Sequence, residues 1–251
     1  MAVFKGFHIT DIGSREENQD SLIMLQKTGE NGNYILLAAI ADGAGGCQEG
    51  KIASTSLLSA IAKWFQETPS DILEEKSGKL MNALDAALKE IHENMKEYAR
   101  KKGITFGTTL TLIIITNENR YIAAQVGDSR LYIFQEDSLI QITKDQTVAQ
   151  REKDTGEEIK CSSKKNSTLL QCFGAGKLSP KYYDGTLAGK SQIFLCSDGQ
   201  TNRISQDEIK EVLETDKAGD EKLRILVRMA RNKMEQDNIT TILITKEETW
   251  N

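Results

Sequence analysis

An α+β fold, with antiparallel sheets and helices packed outside them, follows from three features of this 251-residue chain. Short apolar runs separated by turns fill the segment up to Gly45. Two long stretches with helical spacing come next. From Gly107 to Thr143 the pattern is strand after strand.

In order, Val3–Ile9, Ser21–Gln26 and Asn33–Ala41 read as strands. Ile52, Leu57, Leu58, Ile61, Ala62 and Phe65 then recur at helical spacing, as do Leu80, Leu84, Leu88, Ile91, Met95 and Tyr98. Pro69-Ser70 divides the two helices, which predicts an antiparallel pair whose apolar stripes face the core. Strands Thr109–Thr116, Tyr121–Val126, Arg130–Phe134 and Leu139–Thr143 follow. Their connections, such as Asn117-Glu118-Asn119, are short enough to permit only antiparallel pairing. Residues 144–190 are polar and weakly patterned, with a lysine pair at Lys164-Lys165, and read as a surface excursion that is mobile in part. Strand Gln192–Cys196, helices near Ser205–Leu213 and Lys222–Met234, and a last strand Ile239–Thr245 complete the chain. No repeat, linker or low-complexity segment interrupts it, so residues 1–251 are expected to form a single domain.

Composition narrows the function. A net charge of −5 gives no basic excess for a nucleic-acid surface. No apolar run approaches the roughly 20 residues of a membrane span, and Met1–Thr10 lacks the apolar core of a signal peptide. Cys47, Cys161, Cys172 and Cys196 lie far apart, which argues against a zinc knot and suits a reducing, cytoplasmic setting. His8 and His92 are the only histidines, so a metal here would be held by oxygen, favouring magnesium or manganese.

Oxygen ligands are available. Asp42 ends the apolar run Tyr34–Ala41, and Asp198 ends Gln192–Cys196 in the same manner. Asp128 lies in a turn between two strands, Asp237 immediately precedes the last strand, and Asp20 precedes the second. One Asp-Gly step is an ordinary turn. Several acids at the mouths of hydrophobic strands can converge at one edge of a sheet sandwich, where they repel one another unless a cation lies between them. Such a cluster suits two divalent ions that generate hydroxide from a bridging water. Gly43 and Gly45-Gly46 would let backbone approach the ions.

Six segments occur in order: "REENQD" from Arg15, "ADGAGG" from Ala41, "GTTLT" from Gly107, "VGDSRLY" from Val126, "LCSDG" from Leu195 and "DNITTILI" from Asp237. Together they closely resemble the metal-dependent serine/threonine protein phosphatases of the 2C type, in their compact bacterial form, over Thr10 to Ile244. The resemblance implies a sandwich of two antiparallel sheets flanked by antiparallel helix pairs. It implies hydrolysis of phosphoserine and phosphothreonine esters in proteins by a hydroxide bridging two Mn²⁺ or Mg²⁺ ions. Asp42 would bridge both ions, with the Gly43 carbonyl on one and Asp198 and Asp237 on the other. Asp20 would act through bound water, Asp128 would help to hold a third ion, and Arg15 would clamp the substrate phosphate. Residues 144–190 would include a flap beside the active site. The partners implied are phosphoproteins made by a serine/threonine kinase, with the enzyme itself a monomer.

Three positions depart from the family pattern. Gln19 stands where many members have Glu. Ala44 stands where some eukaryotic members carry a histidine proposed as general acid, so leaving-group protonation would fall to a metal-bound water. The flap lacks the usual His-Pro, and "NSTLLQCFG" from Asn166 follows the family segment only loosely, so substrate preference cannot be inherited.

Three rival readings come from the same residues. "GGCQEGKI" from Gly45 fits the spacing of a phosphate-binding P-loop, although Ile52 replaces its Ser/Thr and the strand order is wrong for that fold. "GDSR" from Gly127 resembles an esterase segment, but no histidine follows His92. A regulatory pseudophosphatase would bind partners through the same surface but would lack one or more of the metal acids, and Asp42, Asp198 and Asp237 are all present.

Overall fold

The computed structural model describes residues 2–29, 34–44, 49–73, 78–116, 119–156 and 168–248. The expectations placed on Gly45-Gly46, Cys47, Cys161, Lys164-Lys165 and most of the 117–119 turn lie outside them.

Among the described residues, ten strands form two five-stranded antiparallel sheets. One contains β1 (Ala2–Asp11), β10 (Ile239–Glu248), β9 (Gln192–Cys196), β6 (Arg130–Gln135) and β7 (Ser138–Gln141), in that order. The other runs β2 (Ser21–Thr28), β3 (Tyr34–Ala41), β4 (Leu110–Ile115), β5 (Arg120–Val126) and β8 (Lys181–Thr186). Helices α1 (Gly50–Glu67), α2 (Ser70–Leu73) and α3 (Lys79–Lys102) belong with the second sheet. After α4 (Val148–Thr155) and the single turn α5 (Asp198–Thr201), helices α6 (Gln206–Glu214) and α7 (Gly219–Asn232) cover the first sheet.

The nearly unbroken apolar run of β3 has a simple cause: both its faces are buried. Ile35, Leu37, Ala39 and Ala41 face the core shared with α1 and α3, whereas Leu36, Ala38 and Ile40 face the core between the sheets. β9 splits likewise, with Ile193 and Leu195 between the sheets and Phe194 and Cys196 under α6 and α7. The result is a helix–sheet–sheet–helix sandwich with three cores. Burial at roughly 25 cal/mol per Å² of apolar area makes these cores its main stabilising term.

Two expectations need correction. The short 127–129 connection was expected to join a hairpin, but β5 and β6 lie in different sheets. Gly127, at φ +104°, lets the chain step across, and a Cβ there would meet the Thr109 side chain at 2.6 Å. The segment 144–190 is also not wholly irregular. It contains α4, capped by the Thr147 hydroxyl accepting from Gln150 N, and the edge strand β8 paired to β5.

Candidate active site

The register sets where the acids fall. Asp11 pairs with Ile239, Thr241 with Cys196, and Cys196 with Arg130, so one end of the first sheet gathers the end of β1 and β9 and the start of β10 and β6. In the other sheet, Ser21 pairs with Ala41, Ile40 with Thr111, and Leu110 with Val126, which gathers the start of β2 and the end of β3 at its corresponding end. Asp42 therefore comes from one sheet and Asp198 and Asp237 from the other. Asp128 rides the crossover between them, and Asp20 stands just before β2. A cleft of about 1010 Å³ receives Asp42, Gly43, Asp128, Asp198, Asp237 and Arg15 along its wall. Asp20 lies behind that wall, buried.

Each acid is held through its backbone or its neighbours. The Asp42 amide donates to Thr109 Oγ1 at 3.0 Å, and its carbonyl accepts from Thr109 N and Thr108 Oγ1, each at 2.8 Å. Ser197 Oγ donates to Asp20 Oδ2 at 2.8 Å and accepts from Thr240 N at 2.9 Å, tying β2, β9 and β10 together. Asn238 fastens the loop after β1: its Nδ2 donates to the Ile12 and Glu17 carbonyls, and its Oδ1 accepts from Gln19 N. Gly13, at φ +66°, lies so close to the Asp237 carbonyl that a Cβ would fall 2.0 Å from it. Arg130 makes a two-pronged pair with Asp145 at 2.9 and 2.7 Å, bracing the turn that carries Asp128.

The electrostatics are those of crowded carboxylates. Burial, and then repulsion from Asp20, Asp198, Asp128 and Asp237, raises the Asp42 carboxyl well above the usual range. Burial and Asp198 push Asp128 up to about 8, and burial with Asp237 and Asp20 pushes Asp198 to about 6. Asp20 is also raised, by burial, against hydrogen bonds that pull it down. Two oxygens, Asp20 Oδ1 and Asp198 Oδ1, are buried without a hydrogen-bond partner. An orphaned carboxylate oxygen is costly, and it is the acceptor a hard cation would use. The donors are all oxygen, so the set fits magnesium or manganese. Among the described residues, however, no three His, Cys, Asp or Glu side chains close into a ready-made metal-binding group. Asp237 is engaged elsewhere: Arg15 Nε and Nη2 donate to its two oxygens at 3.0 and 2.9 Å.

The structure brings the sequence-named Asp42, Gly43, Asp128, Asp198, Asp237 and Arg15 around one cleft, with Asp20 behind it, and adds the Arg15–Asp237 pair, which the sequence reading did not foresee. It assigned nothing to Thr108, Thr109, Ser197, Asn238 or the Arg130–Asp145 pair. Thr108, Thr109, Arg130, Ser197 and Asn238 stand inside quoted segments, which was the available signal, and only Asp145 lies outside them.

Two rival readings meet direct obstacles. Lys51, the lysine of the P-loop spacing, donates to the Asp20 carbonyl at 2.8 Å and the Ser21 hydroxyl at 3.3 Å from within α1. Ser129 is fully buried, with its hydroxyl on Thr109 Oγ1 at 3.1 Å, and His92 is buried elsewhere with Nδ1 accepting from Gly174 N. Among the described residues no helix is long and apolar enough to cross a membrane.

This two-sheet sandwich, with helices on both outer faces and an acid-walled cleft at one end, has counterparts among proteins of known class. The model of the protein phosphatase 2C family matches residues 10–243. The chain belongs to that family and is, by class, a serine/threonine phosphatase. It is 28% identical over 244 residues to protein phosphatase PhpP of Streptococcus pneumoniae, covering 96% of each chain. It is 27% identical over 222 residues to serine/threonine phosphatase stp of Listeria innocua, covering 86% of this chain and 87% of that one. Among solved structures, the S. agalactiae serine/threonine phosphatase superposes with a TM-score of 0.82 at 25% identity, covering 96% of this chain and 99% of the other. The catalytic domain of PstP in complex with two manganese ions superposes with a TM-score of 0.78 at 24% identity, covering 99% and 100%.

Proposed function

We propose that this chain hydrolyses phosphoserine and phosphothreonine esters in proteins with the help of two divalent ions, Mn²⁺ or Mg²⁺, and that residues 1–251 act as one phosphatase domain. The observation that carries the reading is the pair of buried, unpartnered oxygens, Asp20 Oδ1 and Asp198 Oδ1, beside a cleft walled by Asp42 and Asp237. The neighbour bound to two manganese ions supports the choice of metal.

Asp42 would hold both ions, with the Gly43 carbonyl, Asp198 and Asp237 completing the set, Asp20 acting through water, and Asp128 serving a third. Such ions, when bound, supply a strong nucleophile from water at neutral pH and neutralise charge on the phosphoryl group. The chain's own residues do the rest. Thr108 and Thr109 fix the Asp42 backbone, so that its carboxylate enters the cleft in one orientation. Arg15, its side chain 53% exposed, presents a fork that can take two phosphate oxygens. Arg15 and an ion would compete for the oxygens of Asp237, so an occupied site would favour turning the guanidinium to the substrate phosphate. Ala44 lacks a titratable group and His92 is buried away from the cleft, so neither serves as the general acid. The leaving oxygen is therefore protonated from water.

The reading extends to a cytoplasmic monomer acting on products of a serine/threonine kinase. Purified protein stripped with chelator should lose turnover of p-nitrophenyl phosphate and of a phosphothreonine peptide, and regain both with Mn²⁺ or Mg²⁺. Full turnover in excess chelator, with no metal found in the protein, would overturn it.

A further inference from the structure

A second cleft, of about 600 Å³, opens beside the first and shares with it Asp128, Asp198 and Asp237. The reactive acids therefore stand at a junction rather than at the bottom of a single pit. The far walls of the two clefts carry opposite charge. Glu16 and Glu17, both exposed, line the larger cleft. Lys153 of α4 and Arg203, also exposed, line the smaller.

Neighbouring groups leave these charges largely in place. Arg15, the cation nearest the two glutamates in sequence, pairs instead with Asp237, and in the function proposed above it would turn to the substrate phosphate. Among the described residues, Glu17 Oε2 accepts from a neutral amide, Gln19 Nε2, at 3.3 Å. On the other wall Asp154, next to Lys153, is taken up by Lys144 at 2.7 Å. Arg203 is partly offset by Glu235, 3.6 Å away. Lys153 is thus the stronger positive site.

We propose that the two clefts form one through-groove for an extended phosphopeptide whose charge changes sign across the phosphorylated residue. A basic flank lies against Glu16 and Glu17, and an acidic flank lies against Lys153 and Arg203. This rests on the phosphoprotein hydrolysis proposed above and names the substrate class of that same site. Exposed ion pairs are individually weak, so each matched charge contributes roughly two- to five-fold in kcat/KM, and the effect fades at high salt. Two matched flanks together give about a ten-fold preference.

The test uses the metal-loaded full chain and four phosphothreonine peptides of equal length. Two carry Lys on one flank and Glu on the other, in the two possible orders; one has Lys on both flanks and one has Glu on both. p-Nitrophenyl phosphate, which reaches neither wall, is the control. One mixed peptide should lead the opposite mixed peptide by about ten-fold and the two uniform peptides, which each keep one matched flank, by roughly two- to five-fold. The double variant Glu16→Lys/Glu17→Lys and the single variant Lys153→Glu should each remove most of that lead. Combining all three substitutions should pass the lead to the opposite mixed peptide, with p-nitrophenyl phosphate turnover unchanged throughout. Equal kcat/KM for the four peptides, or a ranking that the variants do not move, overturns the groove. Anisotropy of fluorescent phosphonate analogues separates the two readings. Ranked binding without turnover refutes the hydrolysis and keeps the groove, whereas ester turnover without ranking does the reverse.

Discussion

Replacing Asp198 by Asn should make the metal-free protein more stable while removing its activity. The side chain keeps its shape, and one negative charge leaves a cluster in which burial, Asp237 and Asp20 hold the Asp198 carboxyl at about 6 against an ordinary 3.8. A folded-state value raised above the unfolded one means that stability is fully present below about pH 3.8 and is lost as pH rises through about 6. Two units at about 1.4 kcal/mol each give about 3 kcal/mol of destabilisation at pH 7.5, which the amide does not suffer. For a chain of this size that is a Tm increase of about 6–12 °C over the parent in excess chelator. The advantage should shrink on acidification and nearly vanish at pH 4. With saturating Mn²⁺ the order should reverse, because binding to the folded state would stabilise the parent and the variant would lack one of the proposed ion ligands. Thermal melts followed by circular dichroism from pH 4 to 8, with chelator and with metal, measure all of this. A variant that melts below the parent in chelator at pH 7.5, or an advantage independent of pH, would refute the reasoning from crowded charge.

Three further outcomes are expected. Asp42→Asn should fold, because its backbone bonds to Thr108 and Thr109 remain, yet lose about three decades of turnover, or roughly 4 kcal/mol in the barrier; near-normal turnover would return Asp42 to the status of a turn residue. Arg15→Ala should raise KM for a phosphopeptide by roughly ten- to a hundred-fold, with Arg15→Lys a partial rescue, and should bind metal no more weakly, since Asp237 is freed. An unchanged kcat/KM would make Arg15 a surface residue. Ser197→Ala should lower stability by about 2 kcal/mol in denaturant titration, because Asp20 Oδ2 and Thr240 N both lose a buried partner. A loss under about 0.5 kcal/mol would mean that other groups replace the hydroxyl.

The parts of the fold that were legible are those whose burial imposes a period. β3 and β9 announce themselves because each lies between two cores, and α1 and α3 because one stripe is apolar. The acids were legible because each ends or begins such a strand. The sheet switch at 127–129 was not: a short turn between two strands ordinarily makes a hairpin, and only Gly127 at φ +104° against Thr109 diverts the chain. β8, with sequence KYYDGT, was hidden by its own composition. It is an edge strand, largely unburied, and its Asp-Gly imitates a turn. Gly185 is needed for another reason, since a Cβ there would lie 2.7 Å from the Tyr121 hydroxyl. The Arg15–Asp237 pair spans 222 residues and the Asn238 bonds to Gln19 and Glu17 about as many, and no local pattern encodes such distances.

The positions of the two kinds of polar residue imply a division of labour. Asp42 and Asp198 follow strands whose last residues, Ala41 and Cys196, have no exposed surface, and Asp237 precedes Asn238 and the equally buried Ile239. Moving any of these backbones would disturb a packed core, so the acids keep their geometry despite mutual repulsion that would otherwise spread them apart. Glu16, Glu17, Lys153 and Arg203 stand instead on exposed segments, where a change of charge disturbs little packing. Substitutions at the strand ends should therefore lower turnover of every substrate alike, generic esters included. Substitutions on the rim should redistribute kcat/KM among phosphopeptides and leave the generic ester untouched. On the proposals above, the same chain would hold its chemistry fixed while its substrate choice changed through surface residues alone.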